Sequence, residues 1–167
     1  QVPVASSFAL GTKPGREAWI EASADRKTRT ISYEVKRRGS KAEIAAAKKG
    51  TKSGQANFRC LLSDAPMSGA YVDAAASRGQ MGRVLLAVAA EGQRGRVYLS
   101  PTSTQLEAVA RADEEIGNLQ TTFLNVPCRG TFASNAQGRR YGFEEFVDYF
   151  LPRQLAALTV LSDVLEE

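Results

Sequence analysis

Hydrophobic and polar positions divide the chain near its middle. The clearest β signal is Met81–Ser100, where the apolar run Val84–Ala89 and the shorter run Arg96–Leu99 flank a Gly/Gln/Arg/Gly segment suited to a tight reversal. Leu85, Ala87 and Ala89 fall on one face of the first run and Val84, Leu86 and Val88 on the other, which predicts a hairpin covered on both sides and central to the core. A second hairpin is predicted at 16–35. Its strands are Arg16–Ala22 and Thr28–Val35, with Ile31, Tyr33 and Val35 alternating against Thr30, Ser32 and Glu34, and Asp25 and Arg26 between the strands. Before it, Val2–Leu10 alternates weakly up to the turn residues Gly11–Gly15.

Helical spacing dominates later. Ser40 is placed to cap a helix Lys41–Lys49 ended by Gly50, with Lys48 and Lys49 in the last turn where the dipole favours cations. Asn57–Leu62 predicts a short strand and Ala70–Arg78 a short helix. Ser103–Glu115 predicts a helix burying Leu106, Val109 and Ala110. Leu119–Arg140 reads as a long loop with a possible strand at Thr122–Val126. The end reads as two helical pieces: one with Phe143, Phe146, Val147 and Phe150 on one face, and one starting at Pro152 with a stripe of Leu155, Leu158, Leu161 and Leu165. The expected fold class is α+β: antiparallel hairpins packed with C-terminal helices in one domain over 1–167, β-rich to residue 100 and mainly helical from 101. The chain ends on a helix with a broad apolar face, as a segment cut from a longer protein would. No internal repeat appears.

Composition narrows the chemistry. With 167 residues, 43% of them hydrophobic, the chain has enough material for a core without disulfides. Its two cysteines, Cys60 and Cys128, suit a reducing compartment. With no long apolar run and no leader-like N-terminus, the expectation is a cytoplasmic protein with no membrane partner. There is no histidine, which excludes Ser–His–Asp and Cys–His catalysis and histidine metal sites. No phosphate-binding loop or dinucleotide fingerprint is present, and the carboxylates show no acid/base spacing. Cys60 has Ser63 where a zinc knuckle needs a second cysteine, so a closed zinc site is not expected and Cys60 reads as a small buried hydrophobe.

Charge is uneven. Residues 11–59 hold 13 Lys/Arg against 5 Asp/Glu, whereas the rest of the chain holds 9 against 13. The basic stretch at 36–54 brings Lys36, Arg37, Arg38, Lys41, Lys48, Lys49 and Lys52 together with a single carboxylate, Glu43. Two readings stay open for it: a loop tracking phosphates of nucleic acid, or a solvated basic linker. Arg139, Arg140 and Tyr141 form a second basic cluster.

Four stretches carry a family resemblance: 2–21, 57–66, 71–102 and 141–167. The most specific parts are Arg78–Pro101 (RGQMGRVLLAVAAEGQRGRVYLSP) and Pro152–Val164 (PRQLAALTVLSDV). Together they resemble the central part of large adenine-specific DNA methylases that contain a zinc-ribbon-like insertion. The resemblance implies a parent enzyme that transfers a methyl group from S-adenosylmethionine to the exocyclic amine of adenine in DNA. Such an enzyme needs a glycine-rich cofactor loop and an Asp/Asn-Pro-Pro-Tyr/Phe motif for the flipped base. Neither is here, because none of the six prolines follows Asp or Asn. Ser63 stands where ribbon-bearing members carry cysteine, so the ribbon is degenerate. The resemblance therefore implies a non-catalytic insertion, with no cofactor of its own, whose partners are DNA and the remainder of the methylase. The alternative is a structural module docking on that remainder, or on a partner chain, through its apolar C-terminal helix.

Overall fold

The computed structural model describes residues 1–93, 95–118, 125–127, 138 and 142–166. They form a mixed α and β structure with small antiparallel sheets and C-terminal helices, as the hydrophobic pattern predicts. Its contacts gather into two compact units, Gln1–Tyr71 with Gly82–Pro101, and Val72–Met81 with Thr102–Glu167.

The first unit is built on a three-stranded sheet of β1 (Ala9–Gly11), β2 (Ala18–Asp25) and β3 (Thr30–Arg37), in that order and all antiparallel. The predicted hairpin is present with both strands beginning two residues later than predicted and ending at Asp25 and Arg37, in eight register pairs from Ala18↔Arg37 to Asp25↔Thr30. Its tip is fixed by Asp25, whose Oδ1 accepts from the N–H groups of Lys27 and Thr28 at 2.8 and 3.3 Å. This local turn lets Arg29 take a left-handed φ of 56° before β3 begins. α1 (Lys41–Lys49) matches its predicted bounds because its cap is entirely local. The Glu43 N–H donates to Ser40 Oγ at 3.2 Å, and the Ser40 N–H donates back to Glu43 Oε2 at 2.8 Å. Phe8, Trp19, Ile20 and Ala47 form the buried core, with Leu10, Tyr33, Ile44 and Leu61 packed around it.

Thr51, a buried polar residue, ties the N-terminal segment to the end of α1. Its hydroxyl accepts from the Ala5 N–H at 3.0 Å and faces the Pro3 carbonyl at 3.1 Å, and its N–H donates to the Ala5 carbonyl at 2.8 Å. Next along, the Phe8 N–H donates to Ala47 O at 2.7 Å and the Ile20 N–H donates to Phe8 O at 2.9 Å. The first residues thus bridge α1 to β2.

β4 (Phe58–Arg59) pairs with β5 (Pro66–Met67), a shorter strand than Asn57–Leu62 predicts. The chain leaves β4 at Cys60, whose N–H donates to Ala65 O at 2.9 Å and whose carbonyl accepts from the Asp64 N–H at 2.8 Å. Cys60 is half-buried rather than buried. The Ser63 hydroxyl, then the Ser63 and Leu62 N–H groups, point at its sulfur and lower its pKa, so the reading of a small buried hydrophobe is corrected in both burial and surroundings.

The hairpin predicted at 81–100 is displaced. Its strands are β6 (Val88–Gly92) and β7 (Gly95–Leu99), and residues 84–87 are unpaired. An apolar run without alternation does not fix a register, so pairing extends only as far as the partner strand allows. That limit is Val88↔Leu99, because the Ser100 hydroxyl turns away to accept from the Val35 N–H at 2.9 Å and Pro101 has no N–H. Nor is the hairpin covered on both faces: β6 alternates half-buried and exposed, and Val84 is 54% exposed. Only Leu86 and Ala87 of the preceding segment reach the core.

α2 (Gly69–Ser77) crosses from the first unit into the second. The second unit contains α3 (Ser103–Asn118) and α4 (Pro152–Glu166), which pack together. α3 opens on a reciprocal cap: the Thr102 N–H donates to Gln105 Oε1 at 2.9 Å and the Gln105 N–H donates to Thr102 Oγ1 at 3.4 Å. Its inward stripe is Gln105, Val109, Ala112 and Ile116, not the predicted Leu106, Val109 and Ala110, and Leu106 is exposed. The small Ala112 at the buried centre of this stripe allows close helix approach. The predicted helix over 143–150 is a single 3-10 turn, Phe146–Tyr149. Asp148 Oδ2 accepts the N–H groups of Glu144 and Glu145 at 2.8 and 2.9 Å, a side-chain bond that competes with helix, and Phe150 after the turn is extended at φ −108° and ψ 146°. α4 begins at Pro152 as predicted, but its stripe is divided: Leu155 is buried, whereas Leu158 and Leu161 face outward.

Candidate nucleic-acid interface

The basic stretch at 36–54 folds as the end of β3, α1 and the loop after it. Lys36 lies in β3 and is already compensated. Its Nζ sits 2.7 Å from Glu34 Oε2 and 3.5 Å from Glu21 Oε2, and the Glu34 bond, aided by Glu21, holds its pKa above the ordinary lysine value. Arg37 and Arg38 are different. Both are exposed, and no ion pair engages either among the described residues. Arg37 ends β3 on the strand face opposite Lys36, and Arg38, with a left-handed φ of 57° and its N–H donating to Glu17 O at 3.4 Å, opens the elbow between β3 and α1. Gly39 completes that elbow with the Trp19 ring lying against it, where any Cβ would collide.

Arg37 and Arg38 line a cleft of about 290 Å³ together with Arg16 and Arg96. Arg16 comes from the turn before β2, and Arg96 from the exposed face of β7. A Cβ on Gly95 would lie 3.4 Å from Arg16 Nη1, and Gly95 has φ 104°, so glycine there both permits the turn and leaves room for the guanidinium. Tyr98 forms part of the wall: a Cβ on Gly11 would lie 3.3 Å from its ring. Glu17 is the sole carboxylate-bearing residue of the lining. Four arginines therefore line one opening with one acidic residue.

Lys41, Lys48, Lys49 and Lys52 lie outside the cleft lining, exposed on α1 and on the residues that follow it. Lys52 lies in a bridge with Phe58. Arg139, Arg140 and Tyr141 lie outside the described residues. The sequence-predicted set is therefore split into an arginine cleft, a lysine helix and one neutralised lysine. Arg16 and Arg96 were not among the predicted contacts. Their meeting depends on the approach of the β6–β7 hairpin to the end of the β2–β3 hairpin, which no local motif encodes.

No three or more Cys, Asp or Glu gather as a metal site among the described residues, and no described helix is long and apolar enough to cross a membrane. Comparison with protein families, characterised proteins and solved structures finds no match to this chain.

Proposed function

We propose that the chain is a DNA-contacting insertion of an S-adenosylmethionine-dependent adenine-specific DNA methyltransferase, with the cofactor loop and base-holding motif supplied by the rest of that enzyme. The observation that carries the DNA contact is the arginine cleft, in which Arg37, Arg38 and Arg96 have no ion pair among the described residues. The methylase assignment draws on the sequence resemblance. Guanidinium groups bind phosphate through paired N–H donors, and Lys41, Lys48, Lys49 and Lys52 extend the positive surface along and beyond α1. Such contacts position a protein on the duplex without reading bases.

Fluorescence anisotropy with duplex DNA tests this. Four neutralised phosphates predict an affinity loss of about 10²-fold between 50 and 200 mM salt. The double variant Arg37→Glu/Arg38→Glu should abolish binding at the lower salt. Absence of binding at tens of micromolar protein in low salt, or unchanged binding by the double variant, overturns the reading.

A second reading is favoured by α4, where Leu158, Val160 and Leu161 are 41%, 62% and 62% exposed. An apolar face of this kind docks on another protein surface, here the methylase remainder or a partner chain. Light scattering of the isolated chain should then detect self-association that Leu158→Lys/Leu161→Lys removes. A clean monomer whose stability is unaffected by those changes counts against it.

A further inference from the structure

We propose that the cleft framed by Arg16, Arg37, Arg38 and Arg96 is a discrete phosphate-binding site that holds one phosphate group, either of a nucleic-acid strand or of a phosphorylated nucleotide. This deepens the DNA-contact reading and rests on it for the choice of strand phosphate as the first ligand to test.

Three features single the cleft out from the general basic surface. The first is side-chain type. The neighbouring basic segment is mostly lysine, yet every cationic side chain in the cleft is arginine. A guanidinium presents a rigid fork of N–H donors matched to two phosphate oxygens, whereas an ammonium is a point charge. The second is charge balance. Lys36, two residues from Arg38, lies between two carboxylates, whereas Arg37, Arg38 and Arg96 line the cleft with no ion pair among the described residues, and Glu17 is the one acidic residue of the lining. Like charges brought together this way repel until an anion enters. The third is shape. The rim carries Gly15 and Gly95, both with positive φ (74° and 104°), so backbone approaches the opening without side chains in the way. A space of about 290 Å³ lies at the lower edge of the roughly 300–1,000 Å³ usual for ligand clefts, which suits a phosphate and part of its sugar rather than a whole duplex segment.

The test is an amide NMR titration of the full chain with inorganic phosphate, with sodium chloride at matched ionic strength as control. Saturable shifts at Gly15, Arg38, Gly95 and Arg96 that chloride does not reproduce support the site. They should weaken at least fivefold in Arg96→Gln and in Arg38→Gln. Arg26→Gln, at the far tip of the β2–β3 hairpin, should leave them unchanged. Phosphate behaving like chloride, or shifts unaffected by both cleft variants, overturns the site.

Two further arms separate the sources of the phosphate. With duplex DNA, Arg96→Gln should lower affinity and reduce the slope of log affinity against log salt by about one, the signature of one lost phosphate contact. A nucleoside monophosphate that gives the same shifts with higher affinity than inorganic phosphate, in a chain that does not bind duplex DNA, keeps the cleft and overturns the DNA reading. DNA binding with shifts confined to α1 and indifferent to Arg96→Gln overturns the cleft and leaves the DNA reading standing.

Discussion

The two main hairpins of the first unit use the same antiparallel pairing to different ends. β2–β3 has eight register pairs and buries Trp19 and Ile20 beneath Phe8 and Ala47. β6–β7 has five, and none of its described residues is buried. The first is a structural floor because a helix and an N-terminal segment cover it. The second, although richer in apolar residues at its approach, is left at the surface and contributes Arg96 and Tyr98 to a cleft. Apolar content alone therefore does not decide which hairpin becomes core. What decides is whether other elements are positioned to cover it.

The sharpest way to break this contrast is to truncate one residue in each hairpin. Ile20→Ala should cost about 2–5 kcal/mol, the usual range for emptying a buried aliphatic site, read by denaturant unfolding through Trp19, the only tryptophan. Val97→Ala in β7, where the side chain is half-buried, should cost only about 1 kcal/mol. Equal losses would mean the hairpins share one core after all.

A smaller effect comes from adding a methyl group. Gly39→Ala drives a Cβ into the buried Trp19 ring and should cost about 1–3 kcal/mol, the overpacking range. The matching change in the other hairpin, Gly92→Ala, meets Val97 Cγ1 at 2.9 Å and the Gly95 carbonyl at 3.2 Å. Val97 is only half-buried and can yield, so its loss should be the lesser of the two. A thermal melt of each variant checks the order.

Ser40→Ala removes the cap of α1, which covers the β2–β3 side of the unit, and should cost about 1 kcal/mol with reduced helical circular dichroism. The smallest effect is on pH dependence. Bonds from the Ser40 side chain and then its backbone lower the Glu43 pKa, and bonds from Thr28 and Lys27 lower that of Asp25. Each folded value lies below the unfolded one, so the unfolded chain binds more protons at intermediate acidity. Stability from both groups is complete above about pH 4.5 and is lost as pH falls through the folded values. Ser40→Ala should reduce the Glu43 part of this acid sensitivity, keeping what the backbone N–H at position 40 supplies, and leave that of Asp25, as paired unfolding curves at pH 7 and pH 3.5 would detect.

These contrasts also explain what was legible in the sequence. α1 was legible to the residue because Ser40 and Gly50 act within one turn of the helix they delimit; the reciprocal bond from Glu43 was seen only in the structure. The β2–β3 hairpin was legible through alternation, with its ends missed because the final pairs depend on where β1 and α1 attach. The position of β6 was not legible: its limit is set by Ser100 reaching Val35, sixty-five residues away in sequence. The turn at 146–149 was misread because phenylalanine spacing suggests a helix, while Asp148 spends its carboxylate on the N–H groups that helix would need. At the candidate site, Arg37 and Arg38 were visible as part of a charge run. Arg16 and Arg96 were not, since isolated arginines gain meaning only when two turns meet.

Thr51 has a consequence for the candidate interface. Through its hydroxyl and N–H it fastens residues 3–5 beside the end of α1, and the next residues join that helix to β2. The lysines of α1 and the arginines at the end of β3 therefore belong to one clamped block. The block acts as a ruler: the spacing between its two groups of positive charge is set by the fold, and on the proposed DNA-contact reading a bound strand would conform to it. Loosening the clamp with Thr51→Val keeps every cationic residue but should loosen the spacing between them, and the first sign would be faster amide exchange at Ala5 and Phe8.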